Sequence, residues 1–253
     1  MVPAAPQPAA GPHPSIGGEV APVLLRRLAQ AYGLVQADWE VEAAEQGGLT
    51  CAPAILVTLR GSAREMEAAL SLGATAYVEL GDEEDLPPGL LSTLARAPGL
   101  HLSLSTATSF SLDIAPLFCS AMVARGWLDA RRRADAEICM HEAVSNAIVH
   151  GNLDIHHGPS ADPGAFDGFF RAVHQRLADR AHASRRVTVE AVASPDELCL
   201  RITDQGRGHP GHVPAAIDSL EAKSGRGIRI MGELADRVCF SDAGRTANLY
   251  FRR

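Results

Sequence analysis

The segment Glu142-Ala-Val-Ser-Asn146-Ala-Ile-Val-His150-Gly151 limits the folds open to this chain more than any other feature. It is followed by two glycine-bearing blocks, Asp204-Gln-Gly206-Arg-Gly208 and Gly225-Arg226-Gly227. On an α-helix, residues four apart share a face, so Glu142, Asn146 and His150 line one side while Val144, Ala147 and Ile148 turn toward a core. A carboxylate on that face can accept a proton. An amide oxygen one turn on can ligate a hard cation such as Mg²⁺.

The second block closes a strand. Residues 197–203 carry large apolar side chains at Leu198, Leu200 and Ile202, the period-two pattern of a half-buried strand, and Asp204 falls at its exit. An acid there can accept hydrogen bonds from a base's exocyclic amine, and glycines without a Cβ let a flat ring lie against the backbone. The third block precedes an apolar-periodic segment with Ile228, Met231 and Leu234, and a glycine-rich loop opening a helix offers free N–H groups to phosphates. Taken singly, each block also suits an ordinary solvated helix face or a polar turn. Two other phosphate motifs are excluded. Gly206-Arg-Gly208-His-Pro-Gly211 spells a dinucleotide fingerprint, yet Pro210, Gly211 and Pro214 prevent the helix that should open there, and the G-x-x-x-x-G-K loop is absent.

In order and spacing the three blocks resemble the GHKL ATPase superfamily, shared by gyrase, histidine kinases and mismatch-repair ATPases, and within it the bacterial anti-sigma-factor serine/threonine kinases. The resemblance covers roughly residues 99–253. It implies an α/β sandwich of the Bergerat type, with a mixed sheet and helices on one face, that uses ATP and Mg²⁺. By the same resemblance Glu142 is the general base and Asn146 the Mg²⁺ ligand. His150 lies on the same motif face, and Asp204 reads the adenine amine. Gly206, Gly208, Gly225, Arg226 and Gly227 match the pocket and lid. Thr246 matches a late Gly-Thr adenine contact, although Arg245 is inserted after Gly244. Lys223 is the only lysine of the chain and stands where some of these kinases carry an arginine facing the terminal phosphate. A cation there would stabilise charge on a transferring phosphoryl group, and a solvated surface lysine is the equal alternative.

A formal charge of −7 and a pI near 5.8 argue against a general nucleic-acid binder. Five cysteines without a C-x-x-C pair suggest reduced thiols, and the ten histidines show no ligand spacing. No apolar run reaches membrane-spanning length, and the start lacks a basic region followed by an apolar core, so a cytoplasmic location is expected.

Residues 1–17, rich in Pro, Ala and Gly, are expected to form a disordered tail. Residues 18–98 alternate helical and strand patterns: a helix near 23–31, strands near 54–59 and 76–80, and a helix near 63–72 between them. This second α/β unit resembles the last third of a response-regulator receiver. It lacks the receiver's lysine and its upstream acidic pair, so the resemblance implies a degenerate form that regulates without accepting phosphate. A plain structural domain is the alternative. The unit of residues 99–253 should begin with a strand at His101–Ser105, followed by a helix with Ile114, Leu117, Phe118 and Met122 on one stripe. There Asp113 can cap, and Gly126 can stop the chain. Phe166, Phe169, Phe170, Val173 and Leu177 recur at helical spacing after the motif helix, as an extra helix packed on the domain or a docking surface. Two strands near 237–240 and 246–251 should end the chain.

Two functions fit this reading. One is a kinase of the anti-sigma type that phosphorylates an antagonist protein in a partner-switching pathway, with a sigma factor as a possible second partner and a homodimer as a possible state. The other is a nucleotide-responsive binding module without catalysis. A histidine kinase is disfavoured, because the only His-acid pair, His141-Glu142, lies inside the motif itself.

Overall fold

The computed structural model describes residues 14–82, 84–96, 99–156, 163–208 and 226–253. The chain first winds as β1 (Ser15–Gly17), α1 (Pro22–Tyr32), β2 (Val35–Gln36), α2 (Val41–Glu45), β3 (Ile55–Thr58), α3 (Ala63–Ser71), β4 (Ala76–Glu79), α4 (Leu90–Arg96) and β5 (Gly99–Ser105). It continues through α5 (Thr106–Ser111), α6 (Ile114–Ala124), α7 (Arg133–Asn146), α8 (Pro163–Ala178), α9 (Arg180–Ala183), β6 (Arg186–Ala193) and β7 (Glu197–Thr203). It closes with α10 (Arg226–Leu234), β8 (Arg237–Ser241) and β9 (Thr246–Arg252).

The described strands form one nine-stranded sheet in the order β2-β1-β3-β4-β5-β6-β7-β9-β8. Its first five strands are parallel, in the doubly wound order 2-1-3-4-5, and its last four are antiparallel. The protein is therefore a mixed α/β protein with a parallel N-terminal portion and an antiparallel C-terminal sheet of GHKL type. β5 belongs to both: His101 pairs with Ala76 on one side and with Glu190 on the other. The two units expected to meet near residue 98 thus share a strand.

Pleating sorts the side chains of this sheet into two unequal faces. Leu56 and Tyr77, then Leu100, Leu102 and Leu104, then Val187, Val189, Leu198, Leu200, Leu249 and Phe251 all point to one face. There they join α3, α6 and α7 in a continuous core. The opposite face is apolar only in the parallel half, where Ile16, Ile55, Val57, Ala76 and Val78 meet Leu24 and Leu28 of α1 and Leu90 of α4. In the antiparallel half that face is polar, with His101, Glu190, Arg201 and Asn248 in successive cross-strand pairs. A parallel sheet must be covered on both sides by its crossover helices. An antiparallel one can leave a side wet.

Several expectations need adjustment. The tail stops short of residue 17, because Ile16 is fully buried in β1 and Ser15 Oγ accepts a bond from Ala54 N at 3.0 Å. Asp113 occupies the N-cap of α6, but its side chain makes no capping bond. Gly126 follows the end of α6 with a left-handed φ of 67°. The extra helix is α8; Val173 is buried, and Phe169 and Leu177 pack against the main core. Phe170 is exposed, and the Phe166 side chain lies outside the described residues. Cys139 is buried as a small hydrophobe, its thiol pushed up to about 12 by desolvation. No helix among the described residues is long and apolar enough to cross a membrane. Nor do they hold a group of three or more His, Cys, Asp or Glu that could bind a metal.

Candidate functional site

α7 presents two faces. Ala136, Cys139, Met140, Ala143 and Val144 are buried in the core, which leaves Glu142 and Asn146 half-buried on the other side. α10 packs along this helix: Arg132 donates to the Leu234 carbonyl at 2.8 Å, and the Cys139 thiol faces the Met231 carbonyl at 3.9 Å. The first turn of α10 consequently abuts the motif. A Cβ added at Gly227 would lie 3.4 Å from the Glu142 carboxyl carbon and 3.6 Å from Asn146 Nδ2. Glu142, Asn146 and Gly227 are thereby brought together. Neither Glu142 nor Asn146 has a hydrogen-bond partner among the described residues.

The motif helix does not run on to His150 as an α-helix. After Asn146 it widens into a turn over Ala147–Asn152, in which the Leu153 N–H reaches the Ile148 carbonyl five residues back at 2.8 Å. Such widened turns occur mostly as single insertions, often at functional sites. The change breaks the four-residue spacing on which the expected face rested. His150 instead closes the loop, with Nδ1 2.6 Å from the Ile155 carbonyl oxygen.

The widened turn serves to bring the backbone of Gly151 against Asp204. A Cβ at Gly151 would stand 2.6 Å from both carboxylate oxygens, and one at Gly206 would stand 2.6 Å from the Gly151 carbonyl carbon. The two glycines therefore close around the acid as only glycines can. Asp204 is buried, with its Oδ1 accepting the Gly206 N–H at 2.7 Å and its own N–H donating to the Arg245 carbonyl at 3.0 Å. Burial pushes its carboxyl up to about 6, against the pull of the Gly206 bond and of Arg245 and Arg185. An acid held in so little solvent is suited to a neutral, polar ligand edge that donates hydrogen bonds to it.

Thr246 opens β9 opposite Thr203, and their hydroxyls lie 3.1 Å apart. It is buried beside the exit of β7 where Asp204 begins, and the inserted Arg245 is taken up in the preceding turn, where its guanidinium pairs with Asp242. Gly208, with φ at 71°, packs so closely on this turn that a Cβ would come within 2.6 Å of the Ala243 carbonyl oxygen. Arg226 is the exposed first residue of α10. Lys223 and Gly225 lie outside the described residues. The sequence reading missed Gly151 and Asn152 as working parts of this constellation. Gly151 had a visible signal, a glycine inside an otherwise helical run.

The model of the histidine kinase-like ATPase domain matches residues 170–251. The chain carries that domain in its C-terminal part. No curated protein matches the chain. The match contains Asp204, Gly206, Gly208, Gly227 and Thr246. It begins after α7, so Glu142 and Asn146 stand beside the ATPase domain through the packing of α10 on α7 rather than through the matched segment. The ATPase domain implies ATP binding and suggests ATP-dependent activity.

Proposed function

We propose that this protein is an ATP-dependent protein serine/threonine kinase of the anti-sigma type, acting on an antagonist protein in a partner-switching pathway. The observation that carries the reading is the buried Asp204 carboxylate enclosed by Gly151 and Gly206, with Glu142 and Asn146 packed against Gly227 on the adjoining helices. Asp204 would accept the exocyclic amine of adenine, its carboxylate held by the close-packed backbones of Gly151 and Gly206. Thr246, whose hydroxyl lies by Thr203, would meet the same ring. The first turn of α10, at Arg226 and Gly227, would offer its backbone N–H groups to phosphates. Glu142 would take the proton of the acceptor hydroxyl, and Lys223 would face the terminal phosphate.

The residues fit a magnesium nucleotide: Asn146 supplies a neutral amide oxygen, and Gly227, without a Cβ, lets the first turn of α10 approach Glu142 and Asn146 closely. Bound there by Asn146, Mg²⁺ would neutralise charge on the triphosphate. Residues 99–253 would form the kinase unit, and residues 15–98, which share β5 with it, a degenerate receiver that regulates it. The strand order 2-1-3-4-5 supports the latter, as does Thr58, an alcohol rather than an acid, at the end of β3.

The test is incubation of the purified chain with labelled ATP, Mg²⁺ and candidate antagonist proteins encoded beside it, followed by mapping of the label. Label on a serine or threonine of one antagonist is expected. A chain that binds ATP, transfers no phosphoryl group and holds a partner differently in ADP and ATP would be a nucleotide-responsive binding module instead.

A further inference from the structure

Asn152 is fully buried at the end of the widened turn, and its amide is used at both ends. Oδ1 accepts the Gln205 N–H at 2.8 Å, while Nδ2 donates to Thr106 Oγ1 at 2.8 Å and to the Arg186 carbonyl at 3.0 Å. Its own carbonyl accepts Arg185 Nη1 at 2.6 Å. Gln205 is the residue after Asp204, and it is held a second time by its side chain, whose Oε1 accepts the Arg186 N–H at 2.8 Å. Asp204 N is fixed by the carbonyl of Arg245, in the turn before β9. The loop bearing the acid is therefore tied down on one side by that turn and on the other by Asn152.

We infer that Asn152 is a positioning residue for base recognition: by holding the Gln205 amide it sets where the Asp204 carboxylate points. The inference rests on the nucleotide reading of the site. Asp204 forms no ion pair among the described residues, so its direction depends on backbone bonds to the loop that carries it. Without Asn152 Oδ1, the Gln205 N–H would lose its partner in the fold and the loop would be free to re-aim. The tie also runs outward. Thr106 Oγ1 in turn donates to the Arg185 carbonyl at 2.8 Å, and Thr106 opens α5, whose capping Ser105 is bonded through N and Oγ to Glu79 of β4 at 2.9 and 3.1 Å. Base recognition is thus anchored on the strand pair that joins the parallel and antiparallel halves.

The experiment compares the affinity of the full chain for MgATP and for Mg-tripolyphosphate, which carries the phosphates without a base. Wild type, Asn152→Leu and Thr106→Val are measured, with a thermal melt to show that each is folded. Asn152→Leu should weaken MgATP about 10- to 100-fold, the cost of one buried unpaired group, and Thr106→Val about threefold to tenfold, with tripolyphosphate within about twofold of wild type in both. A folded Asn152→Leu protein with wild-type MgATP affinity would overturn the inference. So would equal losses for both ligands, the mark of a merely structural role. If Asn152→Leu does not fold, Thr106→Val decides by the same two criteria. Wild type that binds tripolyphosphate but shows no gain from the base would sink this inference alone, and wild type that binds neither ligand would sink the nucleotide reading with it.

Discussion

The two halves of the sheet use their buried acids in opposite ways. In the parallel half the buried acid at the carboxyl edge is occupied by its own fold: Glu79 accepts bonds from Ser105 N, Ser105 Oγ and Thr108 Oγ1. In the antiparallel half Asp204 accepts one bond among the described residues, from the Gly206 N–H, and the backbones of Gly151 and Gly206 pack directly against it. A buried acid consumed by hydrogen bonds is a joint. A buried acid with a single bond among the described residues is a candidate binding group, since a carboxylate has further lone pairs to offer a ligand.

That contrast can be broken most severely at Glu142. Glu142→Ala should slow phosphoryl transfer about 10²- to 10⁴-fold and leave nucleotide affinity nearly unchanged. Single-turnover transfer measured beside nucleotide titrations checks this; transfer at the wild-type rate would remove Glu142 from the chemistry. Next in size is Gly151→Ala, whose methyl would sit within 2.6 Å of the Asp204 oxygens. MgATP affinity should fall at least about tenfold. Gly81→Ala, in the parallel half, meets nothing within 4 Å and should bind as wild type does. Equal effects at the two glycines would erase the distinction between the halves.

A smaller effect follows from titration of Asp204. Its folded pKa of about 6 lies above the ordinary 3.8, so the folded state holds a proton more tightly than the unfolded state does. Stability without ligand should therefore fall as pH rises from about 4 to 6, and nucleotide affinity should rise over the same window as the carboxylate ionises. Asp204→Asn should flatten both trends, stabilise the ligand-free protein above pH 6 and weaken ATP. Melting curves and titrations at several pH values would show it. The smallest effect belongs to Glu65, also raised by burial. Glu65→Gln should shift the melting temperature slightly upward at alkaline pH and leave ATP affinity unchanged; a change in affinity would mean that the two halves are coupled through this acid.

The fold was legible where patterning is strong. Leu198, Leu200 and Ile202 mark β7, and the apolar runs at 55–58 and 76–79 mark β3 and β4, because burial on one or both faces leaves its period in the sequence. β1, β2 and α5 were not legible. They are three, two and six residues long, too short for a period to develop, and α5 is set by the Ser105 cap and by Glu79 rather than by its own composition. In the site, residue types announced Glu142, Asn146, Asp204 and the glycines. What they could not announce was the widened turn at 147–152, in which the Gly151 backbone meets the Asp204 carboxylate and Gly206 across the fold. For the same reason His150 was assigned to a face that it leaves, and Asn152, whose bonds all reach distant segments, carried no local signal.

The central claim is that the buried Asp204 carboxylate, set between Gly151 and Gly206, receives an adenine base. Calorimetric titration of the full chain with ADP and Mg²⁺, wild type against Asp204→Ala, tests it most directly. Saturable binding by wild type, weakened about 10- to 100-fold by the loss of the carboxylate, is predicted. Wild-type binding that survives Asp204→Ala undiminished, or no binding by wild type at all, would contradict it.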